Sequence, residues 1–211
     1  MIRFDPMNDA DAGSGVYINI EGVDGSGKTT QARLLADALG AVLTRETGGT
    51  VLGTELRKLL LSDATCPLAS AFIAFADRAQ HMYEVVRPAL TSGRHVVSDR
   101  GAVSTIVYQG FGEGAPRKML MRHNRRTVGD LLDLTVVLCV PLSVARARIG
   151  NPNDRYETDA MQQKIARGYA AVILDPQIVG AGKQLVTVDG EGTPEDVHTR
   201  VRTVVRNLLG V

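Results

Sequence analysis

The residues with the clearest chemical potential form one contiguous segment, 22–29, which reads G-V-D-G-S-G-K-T and matches G-x-x-x-x-G-K-[ST] in full. Glycines at these spacings let backbone N–H groups turn towards phosphate oxygens, and a helix that begins behind them presents its positive end to the same anion. Lys28 would reach the β- and γ-phosphates, and the Thr29 hydroxyl would bind Mg²⁺. An apolar stretch precedes the segment and an amphipathic one follows, so we predict a site for nucleotide phosphates.

Asp24 lies inside this segment, where a carboxylate among phosphates is unfavourable unless a metal, water or arginine accompanies it. It could hold a catalytic arginine or a Mg²⁺-bound water. An aspartate that simply favours the turn before Gly25 is the alternative. The residues alone leave both open.

Arginines near predicted strand ends form a second candidate set, comprising Arg45, Arg78 and Arg100. In doubly wound folds ligands bind at the carboxyl ends of strands, so the three could converge on one crevice. Guanidinium groups suit phosphate oxygens, although each arginine could equally be a surface ion-pair partner. Asp99 follows a predicted buried strand. Proteins that bind nucleotide phosphates through a motif like that of residues 22–29 place a second Mg²⁺ contact at this point.

Seven blocks of the chain resemble the thymidylate kinase family of P-loop nucleoside monophosphate kinases. They occur in the family order, at residues 21–31 (EGVDGSGKTTQ), 44–50 (TRETGGT), 76–81 (ADRAQH), 98–100 (SDR), 104–110 (STIVYQG), 133–135 (DLT) and 154–157 (DRYE). The resemblance implies a P-loop NTPase fold and transfer of the γ-phosphoryl group of MgATP to dTMP. It also implies ATP and Mg²⁺ as cofactors and a homodimer, although core packing explains the apolar helix that would form its interface equally well.

The resemblance assigns roles to individual residues. The catalytic residues it implies are Lys28, Asp24, Arg100, Arg148 and Arg155. The ATP-binding residues are Gly22, Val23, Asp24, Gly25, Ser26, Gly27, Lys28, Thr29 and Thr30. The acceptor-binding residues are Arg45, Arg78, Arg100, Ser104, Thr105 and Tyr108, and the metal contacts are Thr29 and Asp99.

A short lid over ATP is expected at residues 148–157, with Arg146 flanking it and Glu157 near its end. Closing such a loop would exclude water and bring positive charge to the transferred phosphoryl group. The alternative is a basic helix terminus that complements the helix dipole. Gly25 gives the phosphate loop no arginine of its own, which favours an arginine of the lid as the catalytic cation.

Three departures from the family pattern fall on the acceptor pocket. Thr47 replaces a proline, Gly101 replaces a tyrosine or histidine, and Ala74 stands where the family has a base-stacking phenylalanine. Phe72 and Phe75 are interpreted as core residues, because neighbouring helix positions point about 100° apart. We therefore expect weaker thymine binding, or room for a bulkier base in a pocket that Gly101 enlarges.

A cationic stretch at 117–126 interleaves arginines and a lysine with methionine and leucine. It is interpreted as a solvated helix face. The alternative is a surface for nucleic acid, in a kinase acting on bases or ends of DNA, but the net charge of +1 argues against a dedicated DNA binder.

Three other functions compete with this prediction. A kinase for a different or modified nucleotide stays open. A GTPase would need a guanine-reading N-K-x-D, and no such tetrapeptide occurs. A binding module without activity conflicts with the presence of Lys28, Thr29, Asp99 and Arg100.

The elements that must position these groups follow from the apolar pattern of the 211 residues. Short apolar runs alternate with helical periods, which predicts a single α/β domain at 16–211, with about five parallel strands and helices on both faces. The predicted strands are 16–21, 41–44, 95–98, 134–140 and 184–188. The predicted helices include 28–39, 54–61, 68–89 and one opening at Thr193-Pro194.

Two helix faces are expected to point inward. One comprises Leu68, Phe72, Phe75, Ala79, Met82 and Val86, and the other comprises Val197, Val201, Val204, Val205, Leu208 and Leu209.

Cys139 is expected to be a buried reduced thiol. The polar leader at 1–15 resembles neither a signal nor a transit peptide, and no apolar run has the length of a membrane span, so a cytoplasmic protein of small-molecule substrates is expected.

Overall fold

The computed structural model of the chain describes residues 15–150 and 154–210, in which five parallel strands form one sheet of order β2-β3-β1-β4-β5. The strands are β1 (Tyr17–Glu21), β2 (Val42–Arg45), β3 (Val96–Asp99), β4 (Leu134–Cys139) and β5 (Gln184–Asp189). The predicted α/β architecture is confirmed. The predicted leader, apart from Gly15, lies outside the described residues.

Helices cover both faces of the sheet. They are α1 (Lys28–Leu39), α2 (Val51–Leu61), α3 (Pro67–His81), α4 (Arg87–Thr91), α5 (Ala102–Thr105), α6 (Arg117–Thr127), α7 (Leu142–Ile149), α8 (Asp159–Leu174) and α9 (Pro194–Leu209). π-Helical segments Met82–Val86 and Ile106–Gly112 follow α3 and α5, and short 3₁₀ turns span Gly129–Leu131 and Pro176–Val179. Nowhere in the described residues does a helix combine the length and apolar character needed to cross a membrane.

The central strand β1 shows how the layers are assembled. Side chains alternate along a strand, so Ile18 and Ile20 pack into the cluster that α1 and α9 complete. Tyr17, Asn19 and Glu21 face the opposite layer, where α3, α5, α6 and α8 form a second apolar cluster. Glu21 therefore ends the strand buried beneath the helices that carry the predicted acceptor residues.

Glycine and threonine caps set the limits of the two helices on the first face. Gly27 and Gly40 bound α1 in left-handed conformation, with φ of 91° and 59°. Thr193 caps α9 as predicted, because its hydroxyl accepts from the Asp196 amide while the Asp196 carboxylate accepts from the Thr193 amide. Capping of this kind satisfies amides that the helix cannot.

The predicted inward face of the long helix is partly wrong. Leu68, Phe72 and Ala79 are exposed, with Phe72 at 50% exposure, while Phe75 is buried as expected. The reason is that the inward face of α3 carries polar side chains, Asp77, Arg78 and His81, which are all buried. A search of the sequence for an apolar stripe therefore assigns the inward face of α3 to the wrong side of the helix.

Two smaller predictions of burial are also wrong. Cys139 is exposed, because it ends β4 at the carboxyl edge of the sheet, and both cysteines are free. Leu208 is exposed near the end of α9, where Val197, Val201 and Val205 form the buried stripe.

Candidate active site

The glycine-rich segment 22–29 forms the turn between β1 and α1. Gly22, Gly25 and Gly27 have φ of 147°, 79° and 91°, a region that glycine adopts without the steric cost of a side chain. The Ser26 amide donates to the Val23 carbonyl at 3.1 Å, which closes the turn. The backbone thus curls at the N-terminus of a twelve-residue helix, an arrangement suited to phosphate.

Gly25 also makes close contact with α7. A Cβ atom placed on Gly25 would lie 2.2 Å from the carbonyl oxygen of Ala145. The phosphate-binding turn and the helix that leads into the predicted lid are therefore packed backbone to backbone.

Asp24 is the centre of a hydrogen-bond network. One carboxylate oxygen accepts from Lys28 at 3.2 Å and from Arg100, and the other accepts from the Tyr108 hydroxyl at 2.8 Å and the Gln162 amide at 3.1 Å. Burial raises the pKa of Asp24, but the charges of Arg100 and Lys28 outweigh it and hold the pKa below its usual range. Of the roles open for Asp24, the contacts match that of holding an arginine.

Lys28 is buried over the loop. Its ammonium group donates to the Val23 carbonyl and the Asp24 carboxylate, each at 3.2 Å. Burial and the neighbouring Arg100 charge lower its pKa, while Asp24 and Asp99 oppose that shift. Two cations therefore lie within one small, partly desolvated region, which favours anion binding.

Arg100 has a left-handed backbone, with φ of 75°, which is uncommon for a residue other than glycine. Its amide donates to the Ile20 carbonyl at 2.9 Å, and its carbonyl accepts from the Ser98 hydroxyl at 2.7 Å. The next amide, that of Gly101, donates to Glu21 at 2.8 Å. Hydrogen bonds before and after Arg100 therefore hold the backbone in this strained conformation, as is common at functional sites.

Glu21 was not singled out by sequence reasoning, although it anchors this turn. Besides the Gly101 amide it accepts from the Ser104 amide at 3.0 Å, the Ser104 hydroxyl at 2.7 Å and the Tyr169 hydroxyl at 2.8 Å. Burial raises the pKa of Glu21, and the Arg100 charge and these hydrogen bonds oppose the shift. An acid that ends a buried central strand was the signal that could have revealed it.

Thr29 and Asp99, the predicted metal contacts, lie together. The Thr29 hydroxyl donates to one Asp99 oxygen at 2.6 Å, and the other Asp99 oxygen is buried without a partner in the part of the chain that the structure describes. Hydroxyl and carboxylate oxygens are ligands suited to Mg²⁺. The residues present therefore fit a magnesium ion.

Beside this centre opens a cleft with about 650 Å³ of free space, solvent at its mouth included. It is lined by Asp24, Glu46, Thr47, Arg57, Leu60, Leu61, Ala74, Arg78, Arg100, Gly101, Ser104, Thr105, Tyr108, Gln109, Asp154, Tyr156 and Glu157. Five of the six predicted acceptor residues are among them. Arg45 is exposed at the end of β2.

Arg78 forms the back of the cleft and is held on three sides. It donates to Glu46 at 2.7 Å, to Asn124 at 2.6 Å and to the Thr105 hydroxyl at 2.7 Å. His81 also bonds Glu46, at 3.0 Å. Burial raises the pKa of Glu46, but Arg78 and His81 outweigh this and lower it to about 2.

Arg57 was missed by sequence reasoning. It lines the cleft from α2 and donates to the Thr47 carbonyl at 3.3 Å. Burial lowers its pKa, and the charges of Arg45 and Arg100 lower it further. Three guanidinium groups thus influence one another beside the cleft. The signal available was an arginine among leucines, L-R-K-L-L, in a predicted amphipathic helix.

All three family departures border the cleft, but Gly101 does not simply enlarge it. A Cβ atom on Gly101 would lie 1.8 Å from the Asn19 amide nitrogen, so Asn19 fills the space that a side chain would enter. Ala74 leaves the α3 wall without an aromatic ring, since the Phe75 ring packs on His123 with centroids 5.0 Å apart. Tyr108 and Tyr156 supply the aromatic rings of the lining.

The predicted lid arginines take different positions. Arg148 donates to the Gly25 carbonyl at 3.4 Å and to the Gly190 carbonyl at 3.3 Å, so it lies beside the phosphate turn. Arg155 points elsewhere, to Glu113 at 2.7 Å and to the loop between α2 and α3. Residues 151–153 of the predicted lid lie outside the described residues.

The cationic stretch folds as α6. Arg122, Arg125 and Arg126 are exposed, which matches a solvated face, while Arg117 lies 4.5 Å from the centroid of the Phe111 ring. The buried face includes Asn124, which bonds Arg78.

Comparisons with known proteins agree with this geometry. A family model described as thymidylate kinase matches residues 20–201. A thymidylate kinase of Synechococcus sp. (strain JA-3-3Ab) is 37% identical, covering 92% of this chain and 97% of that protein. One of Desulfovibrio desulfuricans is 36% identical, with 92% and 96% covered. The crystal structure of thymidylate kinase from Ehrlichia chaffeensis is similar with a TM-score of 0.71 at 28% identity, covering 92% of this chain and 99% of that one.

Proposed function

The chain belongs to the thymidylate kinase family, and on that premise we propose that it transfers the γ-phosphoryl group of ATP to dTMP, giving dTDP and ADP. One observation carries the proposal: a single carboxylate, Asp24, joins the phosphate-binding turn to Arg100 and Tyr108 at the neighbouring cleft. Donor and acceptor regions therefore share a rigid junction. Sites for two phosphate-bearing substrates next to each other are what phosphoryl transfer requires.

Phosphoryl transfer needs positioning and charge neutralisation more than covalent help from the protein. Lys28 and the backbone amides of residues 22–30 would bind the donor phosphates. Arg100, held by Asp24, would face the acceptor phosphate, and Arg148, beside Gly25, would add charge over the donor. Arg155 remains a predicted catalytic residue, and its bond to Glu113 supports a role in fixing the end of the lid.

Thr29 and Asp99 would hold Mg²⁺, which when bound neutralises charge on the nucleotide phosphates. The unpartnered oxygen of Asp99 supports this assignment. Within the described residues no group of three His, Cys, Asp or Glu side chains is placed to hold a metal alone.

On the acceptor side, Arg57 joins Arg45 and Arg100 as a proposed contact of the dTMP phosphate. Arg78, Ser104, Thr105 and Tyr108 would border the base and sugar, as the cleft lining supports. Leu60 and Leu61 add an apolar side to the lining.

We further propose one kinase domain over 16–211 with a lid at 148–157, acting on small molecules and not on nucleic acid. A homodimer is proposed through α2, α3 and the π-helical segment Met82–Val86, which together expose Leu52, Leu59, Phe72 and Tyr83. Exposed apolar groups on neighbouring helices favour association. A monomeric mass in solution at micromolar concentration would count against this part.

The function is tested by coupled ADP release with MgATP and a panel of dTMP, dUMP, dCMP, dGMP, dAMP and a 5-modified pyrimidine monophosphate. We expect dTMP to give the highest kcat/KM. The change Lys28→Ala should lower kcat about 10²–10³-fold, since it removes a cation from the transferred group. The control Lys58→Ala removes an exposed lysine that pairs with the equally exposed Glu55 and should leave kcat unchanged. A different preferred acceptor would show that Thr47, Ala74 and Gly101 mark a changed specificity, and no stimulation by any acceptor would refute the kinase assignment.

A further inference from the structure

Gln162 is a polar residue on the buried face of α8. Its neighbours on that face are Ile165, Tyr169 and Val172, and Gln162 itself is only 1% exposed. A methionine or leucine would fill a similar volume there without bringing polar atoms into the interior. The adjacent Gln163 is exposed.

The contacts of Gln162 fix the orientation of its amide. Its nitrogen donates to the Tyr156 carbonyl at 2.8 Å and to the Asp24 carboxylate at 3.1 Å. Both partners only accept hydrogen bonds, so the NH₂ end must face them. The amide oxygen is buried and has no partner in the described parts of the chain. A buried unpaired acceptor costs stability, so packing alone does not account for a glutamine at this position.

Through Asp24 the amide acts on the proposed reaction centre. Gln162 donates to the same carboxylate oxygen as the Tyr108 hydroxyl, while the other oxygen binds Lys28 and Arg100. Four donors thus saturate the lone pairs of the carboxylate and leave it little freedom to rotate. Removing one donor would let Asp24, and with it Arg100, turn within the site.

Resting on the function proposed above, we propose that Gln162 is a positioning residue for phosphoryl transfer. It joins the backbone at Tyr156 to Asp24 and so sets the angle at which Asp24 presents Arg100 and Tyr108 to the acceptor. It touches no substrate, and its effect is transmitted entirely through Asp24.

The test compares Gln162→Met with the matched control Gln163→Met, one residue along the same helix. Steady-state kinetics with dTMP and ATP are measured together with the melting temperature. For Gln162→Met we expect kcat/KM for dTMP to fall at least about tenfold, the scale seen when a group that orients a functional residue is lost. The KM for ATP should stay within about twofold, and the melting temperature should change by only a few degrees, because the loss of the two hydrogen bonds that the amide donates is offset by the removal of its buried unpaired oxygen. Gln163→Met should match the wild type.

Three results separate the possibilities. Wild-type kcat/KM in Gln162→Met overturns the positioning role. A lower melting temperature with equal losses towards dTMP and ATP also overturns it, since it shows a purely structural residue. A wild-type protein that does not phosphorylate dTMP refutes the proposed function instead, and with it the premise.

A double-mutant cycle with Tyr108→Phe tests the route through Asp24. Because both side chains donate to one oxygen, the combined loss should differ from the product of the single losses by about threefold or more. The cycle of Gln163→Met with Tyr108→Phe should be multiplicative. Multiplicative losses in both cycles would contradict transmission through Asp24.

Discussion

The pair of Glu46 with Arg78 and the pair of Asp24 with Arg100 both border the cleft, and they differ in what else holds the arginine. In the pair of Glu46 with Arg78 the side chains are 4% and 2% exposed, and Arg78 also binds Asn124 and Thr105. In the pair of Asp24 with Arg100 they are 16% and 17% exposed. Arg100 also makes a long contact of 3.4 Å to Ser104 and lies 4.7 Å from the centroid of the Tyr108 ring.

Both acids have a lowered pKa, so both pairs are charged at neutral pH. The difference lies in the use of the cation. The guanidinium group of Arg78 donates hydrogen bonds to three separate segments of the chain and forms part of the cleft wall. The guanidinium of Arg100 is held by one acid and keeps a side available to an anion. We therefore expect an acid–arginine pair to act mainly on stability in one region and mainly on phosphate binding in the other.

The largest effect is expected from Arg100→Met, which keeps an apolar stem and removes the charge. We expect kcat/KM for dTMP to fall about 10³-fold, because charge stabilisation at the transferred group is lost. The melting temperature should change by only a few degrees, about what 1 kcal/mol produces in a chain of this size. Steady-state kinetics and calorimetry measure both, and a large fall in melting temperature with little loss of activity would erase the contrast between the pairs.

Glu46→Gln should act mainly on stability. Removing one partner of a buried pair leaves an uncompensated charge and costs about 3 kcal/mol. The pKa of Glu46 is about 2 in the fold against 4.5 for an ordinary glutamate, so its contribution is complete above pH 4.5 and is lost as the pH falls towards 2. Urea unfolding at pH 7 and pH 3 should show a smaller difference from the wild type at pH 3. The exposed Glu55→Gln is the control, and a difference that grows at low pH would contradict the prediction.

Asp77→Asn is expected to show the opposite dependence on pH. Burial and the nearby Glu46 raise the pKa of Asp77 to about 6, from 3.8, while the Gly48 amide, His81 and Arg78 oppose the shift. The folded state therefore binds an extra proton between pH 3.8 and 6, and its stability falls as the pH rises through that window.

Asparagine removes this titration and still accepts from the Gly48 amide, which Asp77 binds at 3.0 Å. The variant should gain about 2–3 kcal/mol over the wild type at pH 8 and nothing at pH 4. Denaturant unfolding at the two values measures the gain. A variant that is less stable at pH 8 would show that the ionised carboxylate is needed at this position.

The smallest effect is expected on the exposed face of α6. The double change Arg125→Ala with Arg126→Ala removes two exposed charges and should alter kcat/KM for dTMP less than about twofold. Duplex DNA added to the wild type should not inhibit. If DNA inhibits the wild type and the double variant is not inhibited, the result would instead support a nucleic-acid surface on α6.

The phosphate turn could be predicted from sequence because its chemistry lies in eight consecutive residues. The strands followed from their apolar runs to within one residue at each end. The inward face of α3 could not be found in this way, since Asp77, Arg78 and His81 occupy positions where the pattern expects apolar groups.

The network around the site depends on distant partners. Gln162 reaches Asp24 across 138 positions, and Tyr169 reaches Glu21 across 148. No local pattern encodes such pairs, although a glutamine on the apolar stripe of α8 was a visible anomaly. The filling of the Gly101 space by Asn19 depended likewise on how β1 and β3 pair.

The contact between Gly25 and Ala145 restricts which substitutions position 25 can accept during evolution. A side chain at position 25 meets two independent obstacles, a φ of 79° and a carbonyl oxygen 2.2 Å from its first carbon. Moving the proposed catalytic cation from Arg148 into the phosphate turn by a substitution at this position therefore takes a coordinated shift of α7. Because the second obstacle is a backbone carbonyl, a side chain at position 25 is tolerated only in a background in which other substitutions have already moved α7 away from the turn.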